Sequence, residues 1–163
     1  GRSMSSAPDI RFVHLRDKPE AVETLSRWFL EEWAPYYGSS GEGDLDADLA
    51  AYSASDRLPI CLLALSLDDK LLGTASLKAT SIGLEHAPGP WLSALLVQRA
   101  QRGRRIGSAL VAAIEQEAAR LGYRSVFSST DTDASILGRR GWQPIGKTES
   151  LRGAVTVFQK NVR

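Results

Sequence analysis

The chain has 163 residues, of which 43% are apolar and 24% charged, a length and composition that suit one domain with its own core and exclude a fibrous repeat or general disorder. A formal net charge of +1 excludes a global field for nucleic acid or an anionic membrane surface, and no apolar run of about 18 residues suggests a membrane span. The single cysteine, Cys61, leaves neither an internal disulfide nor a cysteine metal cluster, so a reducing, cytoplasmic setting without a metal is expected.

Gly1, Arg2 and Ser3 stand ahead of Met4 and read as vector remnants; residues 1–8 are expected to be a mobile tail and 9–163 a single domain. Ile10 to Leu15 alternates in polarity and predicts a first strand. Asp17-Lys18-Pro19-Glu20 then has the form of a helix start: Asp17 as cap, Pro19 in the first turn, Glu20 three residues past the cap. The helix is expected to reach about Trp33 with Val22, Leu25, Trp28 and Phe29 on its apolar stripe, and Pro35 and Gly38 to break it. A shorter helix behind Asp44 carries Leu45, Leu49 and Tyr52 and closes before Pro59.

Leu58 to Leu67 and Leu71 to Ala79 read as two strands of a hairpin around Asp68-Asp69-Lys70. Trp91 to Val97 is a third run, apolar enough to be a strand covered on both faces. From Ile106 the residues Leu110, Ile114, Ala118 and Leu121 recur at helical spacing, and Gly122 stands where a helix ends. Tyr123 to Ser128 resumes as a strand, Ala134 to Arg140 is a short helix stopped by Gly141, and Ala154 to Gln159 closes as a strand. This order, without internal repeat, describes an α/β domain on a mixed sheet.

The segment from Gln98 to Ser108 carries the chemistry. A glycine-bearing turn that opens a helix aims several backbone amides and the positive end of the helix dipole at one point, where phosphate binds. Gly103 and Gly107 permit close approach, and Arg102, Arg104 and Arg105 add charge-assisted donors. Read locally, a solvated basic helix start accounts for the same residues.

Trp91 to Val97 followed by Arg102-Gly103-Arg104-Arg105-Ile106-Gly107-Ser108 resembles motif A of the GNAT acetyltransferases, whose pattern is Gln/Arg-x-x-Gly-x-Gly/Ala. Arg102 and Gly107 match; Arg105 occupies the first glycine position. Asp131 to Trp142 resembles a second motif of the family, with Ala134, Gly141 and Trp142 in agreement, Asp131 in place of an asparagine and Leu137 in place of the tyrosine assigned as general acid. The resemblance is sharp from Trp91 to Trp142. It implies the GNAT fold, a mixed central sheet of about six to seven strands flanked by about four helices. It also implies acetyl-CoA as cosubstrate, a primary amine as acceptor, and direct transfer in a ternary complex.

Carried over to this sequence, the coenzyme would lie along the backbone of Leu95, Leu96 and Val97. The turn Arg102, Gly103, Arg104, Arg105, Ile106, Gly107 and Ser108 would hold its pyrophosphate, with Asp131 toward the pantetheine arm and the thiolate protonated by Ser135, by water or without a dedicated acid. Gly107 is expected to tolerate glutamate with the fold intact.

Glu85 and His86, just ahead of Trp91, are the candidate bases, against the alternative of an exposed loop pair. Glu32, Trp33 and Tyr36 fall where the family places its acceptor and suit a cationic amine; equally, the rings pack in the core and the glutamates face water. A small polyamine, an aminoglycoside, an amino acid or a protein amino terminus all fit as acceptor, and a homodimer is compatible. A non-catalytic acyl-CoA-binding regulatory module is the competing reading, and the absence of G-x-x-x-x-G-K-[ST] argues against a nucleotide-binding protein.

Overall fold

The computed structural model describes residues 9–38, 41, 43–52, 56–81, 83, 85, 87–102, 105–130, 132–150 and 153–163. They form one seven-stranded sheet, in which β1 (Arg11–His14), β2 (Ile60–Leu65), β3 (Leu71–Lys78) and β4 (Trp91–Val97) run in chain order and antiparallel. The sheet continues through β5 (Ser125–Thr130), β7 (Gly153–Asn161) and β6 (Gln143–Ser150), again antiparallel, and only β4 and β5 are parallel neighbours.

Strand periodicity sorts the side chains into two layers. Ile60, Leu62, Leu77 and Leu92 face α4 (Ile106–Arg120) and α5 (Ala134–Arg139), whose Ile106, Leu110, Ile114 and Leu137 complete the larger core. Each such side chain contributes about 1.5–3 kcal/mol by leaving water. Cys61, Leu63 and Leu65 point the other way, against Leu25 and Phe29 of α1 (Val22–Glu32) and Leu45 and Leu49 of α3 (Leu45–Ala50). On that same face, Ala87 of the β3–β4 loop covers Trp91, Phe127 and Val157 as a separate cluster.

The expected capping box does not form. Lys18, held out of the helical region by the proline after it, has φ −142° and ψ 64°, which turns the chain between Asp17 and Pro19. Two 3-10 turns result, Leu15–Asp17 and Pro19–Ala21; Glu20 meets Lys18 Nζ at 3.3 Å, and α1 starts at Val22 without a side-chain cap. Pro35 opens a helix where a break was expected, because its missing amide costs nothing in the first turn of α2 (Ala34–Tyr37), a short helix that the sequence reading did not include. Asp44 does cap α3, accepting from the Ala47 amide at 3.1 Å. Strand β6 has no counterpart among the expected elements. It is an edge strand bonded on one side only, its outward residues are exposed, and Pro144 and Gly146 interrupt any apolar alternation.

Candidate active site

Strands β4 and β5 touch at one end and then part. They share one paired position, Trp91 with Phe127, supported by the Phe127 amide donating to the Pro90 carbonyl at 2.9 Å. One residue further the contact passes through a side chain, Ser128 Oγ donating to the Leu92 carbonyl at 3.0 Å. No further β4–β5 pair follows among the described residues. The other edge of β4 stays bonded to β3, Thr74 opposite Leu96 and Gly73 opposite Val97, so Leu95, Leu96 and Val97 present one open strand edge. A bulge lies in the same stretch. Ala94 and Leu95 stand together against Ala75, and Ala94 takes a left-handed φ of 54°.

The opening leads to the start of α4. Arg102 Nε donates to the Val97 carbonyl at 3.2 Å and ties the turn to the end of β4. Arg105 holds the N-cap position with φ 66° and ψ 16°, the left-handed conformation that makes glycine the easy residue there, and it offers no side-chain cap. The first in-helix bond of the turn runs from the Ala109 amide to the Arg105 carbonyl, which leaves the amides of Ile106, Gly107 and Ser108 ahead of it at the positive end of the dipole. The Ile106 side chain is buried in the core, so only its backbone faces the turn. Gly103 and Arg104 lie outside the described residues.

Gly107 has a packing reason for being glycine beside the close approach expected of it. A Cβ there would meet Ile136 Cδ1 at 3.1 Å and Val97 Cγ2 at 3.7 Å, so the missing side chain lets α4 pack against α5 and β4. Glutamate at this buried position would drive a charge into that packing, contrary to the expectation of an intact fold. Leu137 is also a core residue, fully buried. Ser135, on α5, is exposed. Asp131 lies outside the described residues.

Glu32, at the end of α1, lies 3.8 Å from the guanidinium of Arg102 and so brings a candidate acceptor residue to the turn before α4. Trp33 packs edge-on against Phe29 at 5.1 Å and is half-buried, whereas Tyr36 is exposed and rests against Tyr37 at 4.8 Å. The Tyr37 hydroxyl donates to Asp48 at 2.6 Å, and burial with that bond pushes its ionisation up. Glu85 is exposed and accepts from Thr148 Oγ1 at 2.7 Å, which holds it toward edge strand β6; His86 lies outside the described residues. Cys61 is buried, its thiol pushed up by burial and 3.3 Å from Thr74 Oγ1, as an inert strand residue should be.

The chain matches the sequence model of the Acetyltransferase (GNAT) family over residues 22–136. It belongs to that family. No curated protein sequence matches it. Among solved structures, an aminoglycoside 6'-N-acetyltransferase complexed with coenzyme A has a TM-score of 0.74 at 18% identity, over 95% of this chain and 97% of that one. The aminoglycoside 6'-N-acetyltransferase of Enterococcus faecium gives 0.71 at 18% identity over 95% and 97%. The protein yncA of Salmonella typhimurium, solved with its cofactor acetyl-CoA, gives 0.67 at 20% identity over 95% and 94%. At such identities the likeness establishes the GNAT fold.

This GNAT chain also contains a polar node invisible in sequence. Glu115 of α4 accepts two bonds from Arg140 at 2.9 Å each, one from Trp142 Nε1 at 2.9 Å and one from Lys160 at 2.9 Å. Burial works against its charge, but the bonds from Arg140, Lys160 and Trp142 outweigh it and hold the carboxyl below its ordinary value. No local motif joins four residues so far apart, and only the fold brings them together. Among the described residues no helix is long and apolar enough to cross a membrane, and no group of His, Cys, Asp or Glu is placed to hold a metal.

Proposed function

We propose that this GNAT protein transfers the acetyl group of acetyl-CoA directly to a primary amine. One observation carries the reading: β4 parts from β5 beyond Leu92, and the opening ends at an uncapped helix start. An open edge at Leu95, Leu96 and Val97 suits the amides of a pantetheine arm, as an added strand would. Pyrophosphate suits the amides of Ile106, Gly107 and Ser108 with Arg102 and Arg105 beside them; the sequence would add Gly103 and Arg104 to the pyrophosphate contacts, and Asp131 and Ser135 to those of the arm.

When bound, the coenzyme supplies a thioester carbon open to attack. The chain must then position a neutral amine, accept its proton and meet the negative charge that develops on the carbonyl oxygen. The bulge at Ala94 leaves backbone polar groups outside the β3 ladder, beside the opening, suited to that charge. Glu85 and His86 are our candidates for the proton; with Thr148 holding its carboxylate, Glu85 would act through water. Glu32, Trp33 and Tyr36 would face a cationic acceptor, and an aminoglycoside is the first to try, because two of the neighbours named above are aminoglycoside acetyltransferases.

The burial of Leu137 favours a second reading, an acyl-CoA-binding module without catalysis, since no phenol stands there to protonate a leaving thiolate. Thermal unfolding tests the shared part: acetyl-CoA should raise the melting temperature while ATP and NAD do not, and equal shifts with all three would reject the site. Thiol release from acetyl-CoA across a panel of amines separates the two readings.

A further inference from the structure

The seven-stranded sheet is two pieces joined at a narrow throat. Four antiparallel strands lie on one side and three on the other, and β4 meets β5 through few contacts. On the α1 face, the rings of Trp91 and Phe127 meet at a tilt of 45° with centroids 5.7 Å apart. In the plane of the sheet the Phe127 amide donates to the Pro90 carbonyl at 2.9 Å. On the α4 face, buried Ser128 donates its hydroxyl to the carbonyl of buried Leu92 at 3.0 Å.

The third contact differs in kind. A side-chain hydroxyl takes the place of a backbone amide where the strands are already diverging, so it acts as a spacer and a tether together. It satisfies a carbonyl that the splay would otherwise leave buried and unpaired. Immediately beyond it lie the bulge at Ala94 and the open edge of Leu95 to Val97. Ser128 is therefore the floor of the opening.

Granted the coenzyme reading above, on which this step rests, the acyl end of the ligand points down the opening toward that floor. We propose that the Ser128–Leu92 clasp limits how deep the acyl group can descend, making Ser128 a specificity-determining residue for acyl chain length. A two-carbon acyl group fits above a closed throat; a four-carbon group needs the throat to yield. Discrimination by one methylene in such a pocket spans about 10–200-fold, so the two extra carbons of butyryl are enough to be felt clearly.

The test is calorimetric titration of free coenzyme A, acetyl-CoA and butyryl-CoA into the wild type and into Ser128→Ala, Ser128→Thr and Ser128→Cys, with circular dichroism to confirm folding. Wild type should bind coenzyme A and acetyl-CoA alike and butyryl-CoA at least tenfold more weakly. Ser128→Ala, which opens the clasp, should shrink that gap by about tenfold while its affinity for free coenzyme A holds, and Ser128→Thr, which keeps the hydroxyl, should restore it. Ser128→Cys keeps the size and weakens the hydrogen bond, so it should fall between, and it serves should the alanine variant not fold. Equal binding of all three ligands by the wild type, or an unchanged gap in folded Ser128→Ala and Ser128→Cys, overturns the clasp and leaves the coenzyme site standing. Failure of free coenzyme A to bind the wild type removes the coenzyme site and the clasp with it.

Discussion

The two ends of α4 are built in opposite ways. Toward its C-terminus the helix is closed on itself: Glu115 is surrounded by four hydrogen bonds, Glu117 accepts from Arg120 and meets His14 Nε2 at 2.6 Å, and Gly122 turns the chain out with φ 97°. At its N-terminus the same helix has no side-chain cap, a strained Arg105, and three leading amides at an opening in the sheet. One end converts its polar groups into stability, and the other leaves them open, where we propose that the coenzyme binds. Damage at the two ends should therefore separate cleanly, stability lost at one and affinity at the other.

The largest effect is expected at the closed end. Glu115→Ala strands the partly buried cations of Arg140 and Lys160 and the Trp142 indole, and breaking such a pair costs about 3 kcal/mol. In a chain of this size that lowers the melting temperature by about 6–12 °C. Acetyl-CoA affinity, measured on the folded variant, should not change. Next comes Arg102→Ala at the open end. Loss of one charge-assisted bond to phosphate, about 1.5–3 kcal/mol, weakens coenzyme binding at least tenfold. The melting temperature of the ligand-free protein should hardly move, because both the Arg102–Glu32 pair and the Arg102–Val97 bond are exposed.

Acid sharpens the comparison further. Glu115 and Glu117 both titrate below their ordinary value, burial being outweighed by hydrogen bonds, chiefly from Arg140 and Lys160 on the first and from Arg120 on the second. A carboxyl lowered in the fold contributes stability above its unfolded value, and that stability is lost as pH falls through the lowered one. Resistance to urea should therefore fall as pH drops below about 4.3, and Glu115→Gln should flatten the dependence. The smallest effect belongs to Arg105→Gly. Relief of a left-handed residue, about 1–2 kcal/mol, is partly offset by the greater entropy glycine loses on folding, about 0.5–1 kcal/mol. A gain of about 0.5 kcal/mol in ligand-free stability would follow, and a loss would contradict the strain.

What could be read in the sequence tracks with what is local. The α4 stripe of Leu110, Ile114 and Ala118, the Asp44 cap and the Gly122 terminus each depend on neighbours a few residues away, and each stands as expected. The Asp17–Glu20 capping box fails although its residues are right, because Pro19 also constrains Lys18, and the second constraint prevails. Strand β6 escapes notice because an exposed edge strand has one bonded side and little apolar pattern. The open edge at Leu95 to Val97 looks like core in sequence; both descriptions hold, since side chains fill the core while the backbone edge stays open. Glu115 and Ser128 find their partners across 25 to 45 residues and 36 residues of chain, and no periodicity encodes such pairings.

The most direct measurement of the central claim is amide hydrogen exchange, residue by residue, with and without acetyl-CoA. If the coenzyme lies along β4 and ends at the helix start, the amides of Ile106, Gly107 and Ser108 and those along Leu95 to Val97 should exchange more slowly with ligand, while β6 from Gln143 to Ser150 should not respond. Protection confined to other places, such as the shallow concavity at Gly122, Arg124 and Arg163 near the far end of α4, would contradict the account.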